Sequence, residues 1–167
     1  LSNLDSLLQG VKAFSFTSMS NVLGTINPVQ QLCAAAHQPG ALAIVDACQS
    51  VPHQPTDVQA WDADFVTFSS HKMCGPSGVG VLWGREALLE ALPPFLGGGN
   101  MIADVRLDGF TTAELPAKFE AGTPAIAEVI ALGAAVKYLE NLGMANVRRH
   151  EIEMSTYVLN SLTERFG

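Results

Sequence analysis

Two short apolar runs, Ala41 to Val45 and Asp64 to Phe68, stop at polar groups: the first at Asp46, the second at Ser69-Ser70-His71-Lys72. An apolar strand that delivers an Asp, followed by another that delivers a Lys, can set opposite charges at neighbouring strand ends. That pattern constrains the fold more than any other feature, because it asks for strands running the same way with longer segments returning the chain between them.

The rest of the chain supplies those segments. Asn3 to Leu8 resemble the last turns of a helix that Gly10 stops, and Val11 to Thr17 alternates as a strand. Ser18 to Asn27 is rich in turn formers. Pro28 opens a helix to about His37, which Pro39-Gly40 ends. Beyond Gly75, Gly78 and Gly80, Val79 to Trp83 predicts a strand antiparallel to its neighbour, because the intervening turn is so short, and then a helix from Arg85 to Ala91. Residues 93–123 include Gly97-Gly98-Gly99 and carry too much Pro, Gly and Thr for a regular element, so a long functional loop or exchange arm is expected. Ile126, Val129, Ile130, Leu132, Ala135, Val136 and Leu139 predict a buried helix from Pro124 to Leu142, ended by Gly143, with a second helix over about 145–165. Together these elements predict an α/β fold, a mostly parallel sheet flanked by helices with functional groups at the carboxyl ends of strands.

Composition narrows the function classes. With 167 residues, one principal unit is expected, and 48% apolar against 15% charged residues describes a folded, well-buried protein. A net charge of −7 leaves no electrostatic footprint for DNA or RNA, and no basic cluster precedes an apolar face, so neither nucleic acid nor membrane is an expected partner. Glu128 and Lys137 interrupt the best apolar stretch before it nears the roughly 20 residues of a spanning helix. Three cysteines cannot all pair within the chain, which favours a reducing cytoplasm. The chain opens on Leu1 without a signal-peptide pattern, and both ends read as cut within helical segments, as a piece of a longer protein would.

Taken singly, Asp46 reads as a turn or cap residue and Lys72 as a solvated surface lysine. Taken together they meet the needs of pyridoxal phosphate: an amine for a Schiff base with the cofactor aldehyde, and a carboxylate that keeps the pyridine nitrogen protonated. Gln49 can reach the ring hydroxyl if Asp46 to Gln49 turns back over the cofactor. Ser69 and His71, alternating on the strand that leads to Lys72, can hold the phosphate. A zinc site from Cys48, His53, His71 and Cys74 has suitable ligand types but lacks any Cys-x-x-Cys pair, and no metal is expected. The glycines at 75, 78 and 80 precede a strand, whereas a dinucleotide fingerprint lies between strand and helix. His37, His53 and His150 read as surface or satisfied residues.

Several words of the sequence resemble the class V aminotransferase-like pyridoxal phosphate enzymes, most closely the SUF-type cysteine desulfurases and their selenocysteine lyase relatives. They are Ser20-Asn21-Val22-Leu23-Gly24-Thr25, Val45-Asp46-Ala47-Cys48-Gln49-Ser50, Ser69 to Gly80, Gly97 to Ile102 and Phe119-Glu120-Ala121-Gly122-Thr123-Pro124, in the family's order. The resemblance implies part of the large domain of an aspartate-aminotransferase-like fold over residues 1–142, with the start of a small C-terminal domain at 143–167. It implies Lys72 as the Schiff-base lysine, Asp46 as the pyridinium partner, Gln49 at the ring hydroxyl, and Ser69 with His71 at the phosphate. Asn21 resembles the residue near the substrate carboxylate. Thr123 resembles a hydroxyl offered to the phosphate of a partner subunit, which implies a homodimer. The implied activity converts L-cysteine, or L-selenocysteine, to L-alanine and passes sulfur through a sulfur-acceptor protein to iron-sulfur cluster assembly. An aminotransferase or a kynureninase-like lyase of the same class, and a non-catalytic fragment, are the alternatives. In the family a ring-stacking histidine lies upstream of this stretch, and the sulfur-accepting cysteine and a carboxylate-binding arginine lie downstream. Cys33, Cys48 and Cys74 do not match that nucleophile, so this chain by itself is expected to release little or no sulfide.

Overall fold

A computed structural model describes residues 3–167. Strands β1 (Ala13–Thr17), β2 (Leu42–Asp46), β3 (Phe65–Ser69) and β4 (Gly80–Gly84) form one sheet in that order. The first three are parallel, with Thr17 opposite Asp46 and Asp46 opposite Thr67. β4 runs antiparallel to β3, as the short intervening segment demands.

Between β1 and β2 the chain returns through helix α2 (Val29–His37), preceded by the four-residue α1 (Leu4–Leu7) at the start of the described residues. Pro28 precedes α2, where a missing N–H costs nothing. Val29, Leu32, Cys33 and Ala36 form its buried stripe at helical spacing. Cys33 and Ala36 pack with Ala43, Val45 and Val66, the last three pointing from one sheet face, to make the main core. Burying each fully enclosed valine contributes about 2 kcal/mol.

A smaller core joins Met73 to Leu132 and Leu139 of helix α4 (Ile126–Leu142). Only the stripe Leu132, Ala135 and Leu139 of α4 is buried, whereas Ile126, Val129 and Ile130 are exposed. The helix is thus present but not buried all round: one neighbour can cover only one face. Gly143, at φ +79, ends α4 with its amide on the Leu139 and Glu140 carbonyls and turns the chain into α5 (Met144–Phe166), which has no buried residue.

Residues 93–123 are not all loop. β5 (Ile102–Arg106) and β6 (Gly109–Thr112) form an antiparallel hairpin that follows α3 (Glu86–Ala91). The two strands satisfy each other's backbone, so a Gly- and Thr-rich stretch needed no other partner. Lys118 anchors the following segment by donating to the Leu89 and Glu90 carbonyls at 3.1 and 2.7 Å. Among the described residues no helix is long and apolar enough to cross a membrane.

Candidate active site

β1, β2 and β3 stop side by side at one edge of the sheet. There the Asp46 carbonyl accepts Ser18 N–H at 2.9 Å and lies 3.0 Å from Ser18 Oγ. Ser18 and Ser50 are fully buried with their hydroxyl oxygens 2.6 Å apart, and Ser50 Oγ is 3.3 Å from the Ala47 carbonyl. This pair ties the end of β1 to the turn after β2. Sequence reasoning passed over Ser18 and Ser50, whose only signal was a small hydroxyl just beyond each strand.

The Asp46 side chain is exposed, and its Oδ1 accepts the Cys48 amide at 2.9 Å, leaving the second oxygen free for another donor. The amides of Ser50 and Val51 both reach the Ala47 carbonyl, so the chain folds back at once and holds half-buried Gln49 within the turn. Cys48 Sγ lies 3.5 Å from Ser69 Oγ and links that turn to the end of β3.

β3 ends at Ser69, and Ser70–Lys72 is a 3-10 turn. The Ser70 amide donates to the Val79 carbonyl, while its own carbonyl accepts the amides of Met73 at 2.9 Å and Gly75 at 3.1 Å. His71 is therefore off the strand, which corrects the expected alternation of Ser69 with His71. With the Ser70 carbonyl committed to two local amides, the period-two pleat ends at Ser69, two residues before His71. His71 and Lys72 are both exposed. Lys72, Met73 and Cys74 line an open cavity of about 540 Å³ against Tyr138 and Arg149; Asp46, Gln49, Ser69 and His71 do not line it. Among the described residues no ion pair within 4.0 Å joins Asp46 to Lys72.

Asn21 sits on a loop that rises from the end of β1. Its base is closed by Ser20 N–H to the Thr25 carbonyl, and Ser20 Oγ accepts the Val22 and Leu23 amides. Thr123 belongs elsewhere. The Gly122 amide donates to the Gly99 carbonyl at 2.8 Å and Asn100 Nδ2 to the Gly122 carbonyl at 3.0 Å, so the triple-glycine word and the Gly122-Thr123 word are one unit. No hydrogen bond joins that unit to Asp46, Gln49, Ser69, His71 or Lys72 among the described residues.

The opposite edge of the sheet carries a second charged cluster. Buried Asp64 accepts His37 Nε2 at 2.8 Å, the Ala43 amide at 2.8 Å and Arg85 Nε at 2.9 Å. Arg85 also bonds Asp62, and its guanidinium holds the Asp62 carboxyl below its ordinary range. The bond to Asp62 in turn raises Arg85 above its usual value. Nearby Cys33 is pushed up to about 11, first by burial and then by the Asp64 and Asp62 carboxylates. His37 is satisfied here, and His53 is satisfied by Glu151 Oε1, 2.6 Å from its Nδ1. Among the described residues no three His, Cys, Asp or Glu side chains gather as metal ligands.

The side chains of Asn21, Gln49, His71, Lys72 and Thr123 make no hydrogen bond to the protein among the described residues. A primary amine, a free carboxylate oxygen, an amide, an imidazole and the Ser69 hydroxyl stand at one sheet edge. That donor set fits pyridoxal phosphate.

Residues 1–166 match the aminotransferase class-V family model. A probable cysteine desulfurase from Synechocystis is 55% identical over 156 residues, 93% of this chain and 37% of the relative. One from Streptomyces coelicolor is 52% identical over 98% of this chain and 40% of its own length. The crystal structure of a cysteine desulfurase from Escherichia coli superposes with a TM-score of 0.93 at 39% identity, covering 97% of this chain and 41% of that one. The chain thus spans about two fifths of the length of these relatives.

Proposed function

The chain belongs to the aminotransferase class-V family, and on that premise we propose that it carries the cofactor-binding part of a pyridoxal phosphate-dependent cysteine desulfurase. One observation supports this reading above the others: Asp46 ends one of two adjacent parallel strands and the Lys72 turn follows the other at the same edge, and among the described residues neither charge is neutralised by another side chain. The identities of 55% and 52% to probable cysteine desulfurases support the substrate.

Pyridoxal phosphate, when bound, supplies an electron sink for bonds at the amino-acid α-carbon. Lys72 would hold the cofactor through its amine and, as a free amine, would move the proton at that carbon. Asp46, with Oδ1 fixed by the Cys48 amide, would offer its free carboxylate oxygen to the ring nitrogen. Gln49 would donate to the ring oxygen, Ser69 and His71 would bind phosphate, and Asn21 would approach the substrate carboxylate. The substrate sulfur passes to an attacking thiolate as a persulfide, and the carbon skeleton leaves as L-alanine. Thr123 serves the phosphate of a partner subunit, consistent with its separation from the other candidates in hydrogen bonding. A homodimer in the cytoplasm, a sulfur-acceptor protein and iron-sulfur cluster assembly complete the reading, with residues 143–167 opening a second domain.

The test is direct. The protein is incubated with pyridoxal phosphate, reduced with borohydride and digested, and the pyridoxyl group is located by mass spectrometry. We expect it on Lys72, with L-cysteine altering the visible absorption of the bound cofactor before reduction. A label on other lysines, or none on folded protein, would refute the assignment.

A further inference from the structure

The Lys72 turn contains a contact that its chemistry does not use. Ser70 is fully buried, and among the described residues its hydroxyl has no hydrogen-bond partner. Such an atom costs about 1–3 kcal/mol, so something else must hold it there. Gly75 faces it. A Cβ built on Gly75 would lie 2.2 Å from Ser70 Oγ, 3.0 Å from the Ser70 carbonyl oxygen and 3.3 Å from Ser70 Cβ. Gly75 is not among the residues with positive φ, so its lack of a side chain answers to space and not to backbone conformation. The same two residues are joined by the Gly75 amide on the Ser70 carbonyl, beside the Met73 amide on that carbonyl. Between them run His71, Lys72, Met73 and Cys74, and Cys74 takes the strained φ of +63 that closes the loop.

We infer that Ser70 and Gly75 form a steric lock that positions Lys72: the Ser70 hydroxyl occupies the space a side chain at 75 would need, and the close approach fixes the turn that presents the amine. Ser70 and Gly75 are positioning residues, acting through the backbone of the turn. The inference rests on Lys72 being the cofactor lysine, but its geometric half stands without it.

A double-mutant cycle tests it. Wild type, Gly75→Ala, Ser70→Gly and the combined S70G/G75A chain are compared by amide hydrogen exchange at positions 73 and 75 and by the rate of borohydride-fixed pyridoxyl addition at Lys72. G75A is expected to lose at least about tenfold in both, the equivalent of one broken local hydrogen bond. S70G removes the hydroxyl and Cβ that collide with the methyl group introduced at position 75. The double variant should therefore recover most of the loss, short of wild type because the residue-70 carbonyl remains 3.0 Å from the new Cβ. If G75A does not fold, the double variant must fold where it does not. Wild-type behaviour of G75A, or a double variant no better than G75A, overturns the lock. Exchange lost in G75A and recovered in the double variant, with no Lys72 adduct in wild type, would instead overturn the cofactor reading and leave the lock standing.

Discussion

The two edges of the four-stranded sheet hold similar charged residues and treat them in opposite ways. At the edge where β3 begins, Asp64 is buried and takes three donors from α2, β2 and Arg85. At the edge where β3 ends, Asp46 keeps one oxygen free, and His71 and Lys72 stand exposed without partners among the described residues. A charge that the protein neutralises itself stabilises the fold, and a charge left open is available to a ligand. Charge type therefore does not identify function in this sheet. Saturation of the hydrogen-bonding groups does.

Substitutions can break this contrast. Lys72→Ala should remove all borohydride-fixed cofactor, the largest effect, while leaving the unfolding free energy from urea titration within about 0.5 kcal/mol of wild type. Asp64→Ala should do the reverse: it takes the acceptor from the Ala43 amide, His37 Nε2 and Arg85 Nε, costing about 3 kcal/mol of stability by equilibrium unfolding. Intact Lys72 labelling in the fraction that stays folded would complete the contrast. Loss of stability in the Lys72 variant comparable to that of the Asp64 variant would erase the distinction between the edges.

A pH scan sharpens it further. Native Cys33 keeps its proton to about 11, whereas an unconstrained thiol loses it near 9.0. The unfolded chain thus binds fewer protons between these values, so stability is whole below pH 9 and falls as pH rises toward 11, by roughly 2–3 kcal/mol. Cys33→Ala should flatten that alkaline limb. Asp46→Asn retains the Oδ1 acceptor for the Cys48 amide and should change stability by less than about 0.5 kcal/mol while weakening cofactor retention. Asp62→Asn has the smallest effect. The native Asp62 carboxyl is held low, so its contribution is present above the ordinary carboxylate range and lost as pH falls through the native value. Its removal should soften only the acid limb of the unfolding profile.

The open edge was more legible in sequence than the saturated one. Asp46 and Lys72 end apolar runs, so a one-dimensional pattern marks them, and the strands and helices that carry them follow from periodicity. Asp64 looks like a polar start to the same run, and its three partners lie 21 to 27 residues away, where no local pattern reaches. The alternation that put His71 on β3 failed because backbone bonds at Ser70, not side-chain type, ended the strand. The hairpin of β5 and β6 was hidden for a related reason: its strands are stabilised by one another, and composition alone argued for loop. Thr123 could be read as a motif residue, but its neighbours Gly99 and Asn100 come from another motif more than 20 residues earlier.

The buried serine pair has a consequence in proton bookkeeping. Ser18 and Ser50 own one hydroxyl hydrogen each, yet three contacts could use one: Ser18 to the Asp46 carbonyl, Ser50 to the Ala47 carbonyl, and the 2.6 Å contact between the two oxygens. Two hydrogens can fill only two of the three contacts. The pair therefore has two complete settings that share the central bond and differ in which carbonyl is served. Alanine at 50 leaves the Ser18 hydrogen on Asp46, and alanine at 18 leaves the Ser50 hydrogen on Ala47. Either replacement selects a setting instead of creating an orphan, and the Asp46 and Ala47 carbonyls keep their backbone amide donors in both, so the carboxyl edge tolerates the loss of either hydroxyl.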